Sequence, residues 1–295
     1  MVYAVLLVLL AWIGVAWARA SLAPVSLVEA GYGHIERSVE AEAVLIRREE
    51  VVAAPFTGWT SYGVEEGEEV RAGAPVVELS NPRARAVTRL AAPVPGIVSY
   101  TVDGLEAVLV PEALKGLRGA TLADLKERPA GSSKGQVRGG EPVFKVIDPS
   151  QVYFAIPVTG AEAEELPPRS AVRLRIATAG EREWDGLVER IGKSEADGRR
   201  LVVLSVPAAA NEVALRRRVR ATLVLEEAAG ATVPVQVLLH RDEGWGLYLL
   251  RGNQARWHPV VVRISDGRTA ALEGINPGAL VVRRPQFVKE GQKIR

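Results

Sequence analysis

The chain has 295 residues, 48% of them hydrophobic, and its 37 basic and 35 acidic side chains leave a net charge of +2. That length and apolar content fit two or three domains with real cores and exclude wholesale disorder. The balanced charge argues against a dedicated nucleic-acid binder. The absence of cysteine excludes disulfides, zinc–thiolate and iron–sulfur sites and cysteine nucleophiles.

The chain opens on a hydrophobic segment. Val2–Ala18, VYAVLLVLLAWIGVAWA, carries no charge and would reach about 26 Å as a helix, just short of a roughly 30 Å hydrocarbon core. An uncleaved membrane anchor is the favoured reading, with Trp12 and Trp17 at an interface. The Ala18-Arg19-Ala20 triplet also fits a cleaved signal peptide, and a buried core helix is the third reading. A single anchor, with the bulk of the protein outside the cytoplasm, is the expected localisation.

Beyond the anchor the pattern is β nearly throughout. Short Val-, Leu- and Ile-rich runs such as PVVELS, PVFKVID, VYFAIPV, AVRLRIAT and RLVVLSVP alternate polar with apolar residues and end at Gly, Pro, Asn or Asp. Helical pattern is scarce: one helix is predicted over Pro111–Glu127 and one further turn from Gly160. The fold class is therefore all-β, built of sandwiches and small barrels.

Two stretches repeat. APFTGWTSYGV from Ala54 returns as APVPGIVSYTV from Ala92, and VRAGAPV from Val70 returns as VRGGEPV from Val137. Each copy runs from Ala-Pro through a glycine (Gly58, Gly96), expected to be a structural turn, into a strand and an acidic turn, with Gly67 in the first and Gly104 in the second. Gly67, Gly73, Gly104 and Gly140 suit turns that need positive φ. Two such halves about a pseudo-twofold axis would make a flattened β-sandwich. The second copy is interrupted by an insertion from Leu105 to Gln136, readable as a partner-binding lid or as a plain cover over the sandwich end.

The order AP-x2-G, V-x2-G-x2-V and G-x-P-V resembles biotinyl/lipoyl-type domains. The doubled form after an N-terminal hydrophobic segment resembles the haemolysin-D-like membrane fusion (periplasmic adaptor) proteins. The closing GINPGALVV and VKEGQKIR are similar to their membrane-proximal module. The resemblance implies a barrel-sandwich hybrid and a non-catalytic adaptor. Its partners would be the membrane, an inner-membrane transporter or other envelope protein, and possible copies of itself. The runner-up is a cell-envelope scaffold without a transporter. A carrier role fails at the hairpin Ser80–Val87, which has Arg83 and Arg85 where carriers have a modified lysine; the chain has no lysine before Lys115, and arginine cannot be the acylated amine. No cofactor is therefore expected. The same hairpin lacks the long coiled coil of many adaptors.

Other chemistry finds little footing. Gly131–Gly135, GSSKG, matches a nucleophile elbow in letters, yet a hydrolase would need Ser133 beside a histidine and a carboxylate. His34, His240 and His258 lack metal-ligand spacing. The pairs Glu49-Glu50 and Glu65-Glu66 would point to opposite strand faces. The most basic stretch supplies Arg216, Arg217, Arg218 and Arg220, a solvated strand edge or candidate contacts to anionic lipid headgroups or a protein partner. The division expected is an anchor or signal (1–19), linker and first strand (20–46), sandwich (47–148), β-barrel (149–227) and a membrane-proximal-type module (228–295).

Overall fold

A computed structural model describes residues 25–128, 135–177, 182–206 and 210–294. The anchor or signal segment and Ser133 lie outside them. Among the described residues no helix is long and apolar enough to cross a membrane.

The described chain is mostly β, with a few short helices. In order it forms β1 (Leu27–Glu29), β2 (Gly31–Ala53), β3 (Gly58–Tyr62), β4 (Glu69–Val70), β5 (Pro75–Asn81), β6 (Ala86–Ala91) and β7 (Gly96–Ser99). A 3-10 turn (Pro111–Lys115) and α1 (Gly119–Asp124) follow, then β8 (Gln136–Val137), β9 (Pro142–Thr159) and α2 (Gly160–Glu164). Next come β10 (Ala171–Ile176), β11 (Glu183–Ile191), β12 (Arg199–Ser205), α3 (Ala210–Val213) and β13 (Arg218–Pro234). The last stretch holds β14 (Leu239–Arg241), β15 (Gly244–Arg251), β16 (Gln254–Pro259), β17 (Val261–Ser265), β18 (Thr269–Glu273) and β19 (Leu280–Val282). The single helix predicted over Pro111–Glu127 is instead two short pieces. Arg118 between them is extended (φ −127°, ψ 152°), so the ladder of i→i−4 bonds cannot run through. The turn predicted from Gly160 is α2, closed by a capping box in which Thr159 and Glu162 exchange side-chain and backbone bonds.

Contacts divide the chain into two units, Ser38–Leu225 and a second made of the segments before Ser38 and after Leu225. The larger contains the repeat. Here β6-β5-β3-β8 form one sheet, and β4, β7, β9 and the end of β2 pair in sequence as the opposing layer. Residues of both layers meet in a core of Val76, Val77, Leu79, Val98, Val143, Phe144 and Val146. Each such buried side chain stabilises by roughly 1.5–3 kcal/mol relative to exposure.

β2 and β9 then continue out of the sandwich. Past an irregularity between Arg47 and Glu49 they pair again, and β9-β12-β11-β10-β13 followed by β2 closes a ring of six strands. Leu45 N–H to Arg217 O, 2.9 Å, joins the ring's ends. Period-2 alternation fills its interior with Leu45, Phe154, Ile156, Leu174, Trp184, Leu204 and Leu223. The insertion covers the outside of this ring: Leu105, Leu109, Leu117 and Leu122 pack on Val44, Ile46, Ala155, Leu201 and Val203. Its expected place over the sandwich end is thus corrected. The bare wall of β2, β9 and β12 offered an apolar face that the sandwich, already closed by its own repeat, did not.

In the smaller unit β1-β19-β15-β14 form a sheet with β16 on β15. β17, β18 and Ala231–Pro234 of β13 pair as a second layer. Val233, Val237, Leu247, Leu272 and Val281 fill the space between.

Candidate functional site

The two copies interlock by reciprocal bonds. Gly73 N–H donates to Ala92 O (2.8 Å) and Ala92 N–H to Ala74 O (2.9 Å); in the counterpart, Gly140 N–H donates to Ala54 O (2.7 Å) and Ala54 N–H to Glu141 O (2.9 Å). Val70 pairs with Gly96 as Val137 pairs with Gly58. Each half thus completes the sheet of the other. Tyr62 and Tyr100, matching residues of the repeat, meet edge to face with ring centroids 4.5 Å apart. Tyr100 O–H donates to Val64 O at 2.7 Å. Burial, with the charge of Glu66 nearby, pushes the Tyr100 phenol up to about 12.

The six singled-out glycines fall into two kinds. Gly67, Gly73, Gly104 and Gly140 hold φ between 80° and 88°. Gly58 is not a turn: it lies in β3, where a Cβ would sit 2.6 Å from the carbonyl oxygen of Ser80. Gly96 holds the matching place at the start of β7, and a Cβ there would collide with the carbonyl of Ile147. At both sites glycine is required by close backbone approach.

At the hairpin, β5 and β6 are joined by the turn Pro82–Arg85, and Asn81 Oδ1 accepts from the N–H groups of Arg83 and Ala84, both at 3.1 Å. The tip carries Arg83 and Arg85, both exposed, and no lysine. The outer face beside it leaves Trp59 and Val87 55% and 65% exposed. They flank Ser80 across the sheet. The matching face of the second copy presents Ile97, Ile147 and Glu49, all buried.

Burial of that second face brings together a cluster that the sequence did not announce. Arg47, Glu49, Asp103, Glu106, Lys145 and Arg217 are all buried. Lys145 Nζ lies 3.4 Å from Glu49, 3.2 Å from Asp103 and 3.0 Å from Glu106. Arg217 donates to Asp103 at 2.9 Å, to Glu49 and to Leu45 O. Arg47 Nε donates to Glu49 at 2.9 Å. Glu106 also accepts from Asp103 N–H and Gly104 N–H. Three cations therefore face three carboxylates. Burial alone would raise Glu49 and Asp103, but the surrounding cations hold both below the usual carboxylate range. Burial lowers Arg47, whereas the two carboxylates outweigh burial and raise Arg217.

Arg217 thus departs from the expectation of a lipid or partner contact, because its guanidinium is enclosed. Arg218 is half-buried and clamps the insertion, donating to Leu122 O (3.0 Å) and Leu125 O (2.9 Å) and pairing with Glu42 at 3.0 Å. Arg216 and Arg220 are exposed. The four do not form one surface, because successive strand residues face opposite ways and Arg217 shares the inward parity of buried Val219.

Among the described residues, the one group of side chains spaced to share a metal is Glu49, Asp103 and Glu106. The three protein cations already compensate its charge, so the arrangement suits a structural ion cluster. The histidines stay apart in their contacts: His34 meets Glu227, His240 the ring of Trp245, and His258 the carbonyl of Gly274. Glu49 is buried and Glu50 exposed, on opposite faces. Glu66 accepts from Ser99 Oγ and Tyr100 N–H, bonds that join the two copies.

Residues 49–148 match the family model described as RND related, barrel-sandwich hybrid domain. No curated protein matches the chain. Similar solved structures include MacA from Actinobacillus actinomycetemcomitans, with 11% identity, TM-score 0.44, and 87% of this chain and 98% of that one covered. ZneB from Cupriavidus metallidurans gives 14% identity, TM-score 0.36, and 88% and 92%. The membrane fusion protein Spr0693 from Streptococcus pneumoniae R6 gives 9% identity, TM-score 0.35, and 63% and 98%. Residues 49–148, an interlocked double repeat bare of any carrier lysine at its hairpin, thus match the barrel-sandwich hybrid domain of the RND-related kind.

Proposed function

We propose that the protein is a non-catalytic, membrane-anchored, extracytoplasmic adaptor that couples an inner-membrane transporter to the cell envelope. The observation that carries this reading is the barrel-sandwich hybrid itself, matched by family model over residues 49–148 and continued without a break by β2 and β9 into the six-stranded ring. Strands shared by two modules, with a charge cluster at their junction, make a stiff spacer, and a spacer is what an adaptor needs. In this reading Val2–Ala18 is the anchor, the ring is the β-barrel module, and the smaller unit is the membrane-proximal one. Arg216 and Arg220 remain available for a headgroup or partner.

The four-residue turn Pro82–Arg85 favours a second reading, an envelope scaffold without a transporter, since it offers no long hairpin to reach a distant channel. Crosslinking in intact membranes followed by identification of copurifying proteins separates the two. Recovery of a permease supports the adaptor. Recovery of wall-synthesis or division proteins alone overturns it in favour of the scaffold.

A further inference from the structure

The insertion is stitched to β11 and to the β11–β12 turn by two side chains. Arg190 Nη1 donates to the carbonyls of Leu114 (2.6 Å) and Leu117 (3.2 Å). The carboxylate of Glu195 accepts from Gly119 N–H (2.5 Å) and Ala120 N–H (2.8 Å). Between these two ties lies a cleft of about 570 Å³ whose charged lining is Lys115, Arg118, Arg190, Lys193 and Glu195.

Four cations and one carboxylate thus line the cleft, and both oxygens of that carboxylate are already engaged by backbone N–H groups. Lys115, Arg118 and Lys193 are exposed, and none has an ion-pair partner among the described residues. Several surface cations elsewhere are neutralised locally, as in Arg173 and Arg175 with Glu183, Arg182 with Glu212, and Arg263 with Glu273. A concave basic site between two tied walls focuses positive potential and favours an entering anion. A lone carboxylate would bring one charge to four cations. A phosphate group brings up to two charges and several acceptor oxygens, which guanidinium and ammonium donors match.

We propose that this cleft binds a phosphate-bearing ligand, either a lipid headgroup or a soluble phosphate ester. The test is titration calorimetry on the full chain in an uncharged detergent. Inorganic pyrophosphate is one probe and phosphatidylglycerol incorporated into the micelles is the other. Saturable binding of at least one probe is expected, weakening as salt rises. The double variant Lys115→Ala/Lys193→Ala should lose about tenfold in affinity for each lysine removed, while Arg251→Ala in the smaller unit should match the parent. Because both lysines are exposed, an unchanged melting temperature verifies that the variant is folded, and Arg118→Ala gives a second, independent lesion. Binding of pyrophosphate identifies a soluble ligand, and binding of phosphatidylglycerol alone identifies a headgroup. Saturable binding of neither probe, or affinity undiminished in the lysine variant, overturns the proposal.

Discussion

Gly96 and Gly140 look alike in the repeat but do different work, and the difference can be measured. At Gly96 the obstacle to a side chain is the backbone carbonyl of Ile147, which is fixed by the β7–β9 pairing. At Gly140 nothing lies within 4 Å of a Cβ, and the obstacle is conformational, with φ at +88°. Gly140→Ala should therefore cost about 1–2 kcal/mol, the usual penalty for a left-handed residue. Gly96→Ala should cost at least about 3 kcal/mol, because a strand must move. Denaturant melts of the two variants check the order; equal costs would contradict the close approach assigned to Gly96. Tyr100 gives a second prediction at this scale. Its phenol titrates near 12 in the folded protein and near 10 when unfolded, so the folded state keeps a proton that the unfolded state loses. Its stabilisation is present in full below pH 10 and is lost as pH rises toward 12. Absorbance titration should show one late tyrosine, absent from Tyr100→Phe.

At the scale of elements, the repeat was legible and the charge cluster was not. Ala-Pro-x-x-Gly and Val-Arg-x-Gly-x-Pro-Val are local patterns, and each of their positions is needed for a local reason, a turn, a strand start or a close approach. The cluster draws on residues scattered from Arg47 to Arg217, and no local rule links them. Its one visible trace was a charge inside otherwise apolar runs, Lys145 in PVFKVID and Glu49 after AVLIRR. Arg217 was hidden for the opposite reason, because four neighbouring arginines read as solvated surface. The docking of the insertion was equally hidden, since Leu105, Leu109, Leu117 and Leu122 mark an apolar face without naming what it covers. Two outcomes follow. Leu109→Ala, at a site 1% exposed, should cost about 2–4 kcal/mol. Lys145→Met should cost about 3–5 kcal/mol by leaving three buried carboxylates against two cations. As Glu49 and Asp103 are held below their unfolded values, the cluster's stabilisation is present above about pH 4 and is lost as pH falls through the folded values. Acid melts of the parent should be steeper there than those of Glu49→Gln; parallel curves would remove the cluster from the account.

For the whole molecule, stability depends on which connections hold the halves of the sandwich together. The chain link at Pro82–Arg85 is not one of them. β4 of the first copy pairs with β7 of the second, and β8 of the second with β3 of the first. Tyr62 and Tyr100 pack across the same boundary, and the core mixes both halves, Leu79 and Val77 with Phe144 and Val146. Neither copy could close its own sheets, since each lacks the short strand that the other supplies. A protease site placed within Pro82–Arg85 and then cut should therefore leave the fragments bound as one species, with the far-ultraviolet dichroism of the intact chain and a single melting transition. A peptide of residues 49–91 alone should be unfolded, because its apolar face would have no partner. Separation of the cut fragments on gel filtration under native conditions would show that the halves fold independently, and the interlocked pair would then be the wrong description of this domain.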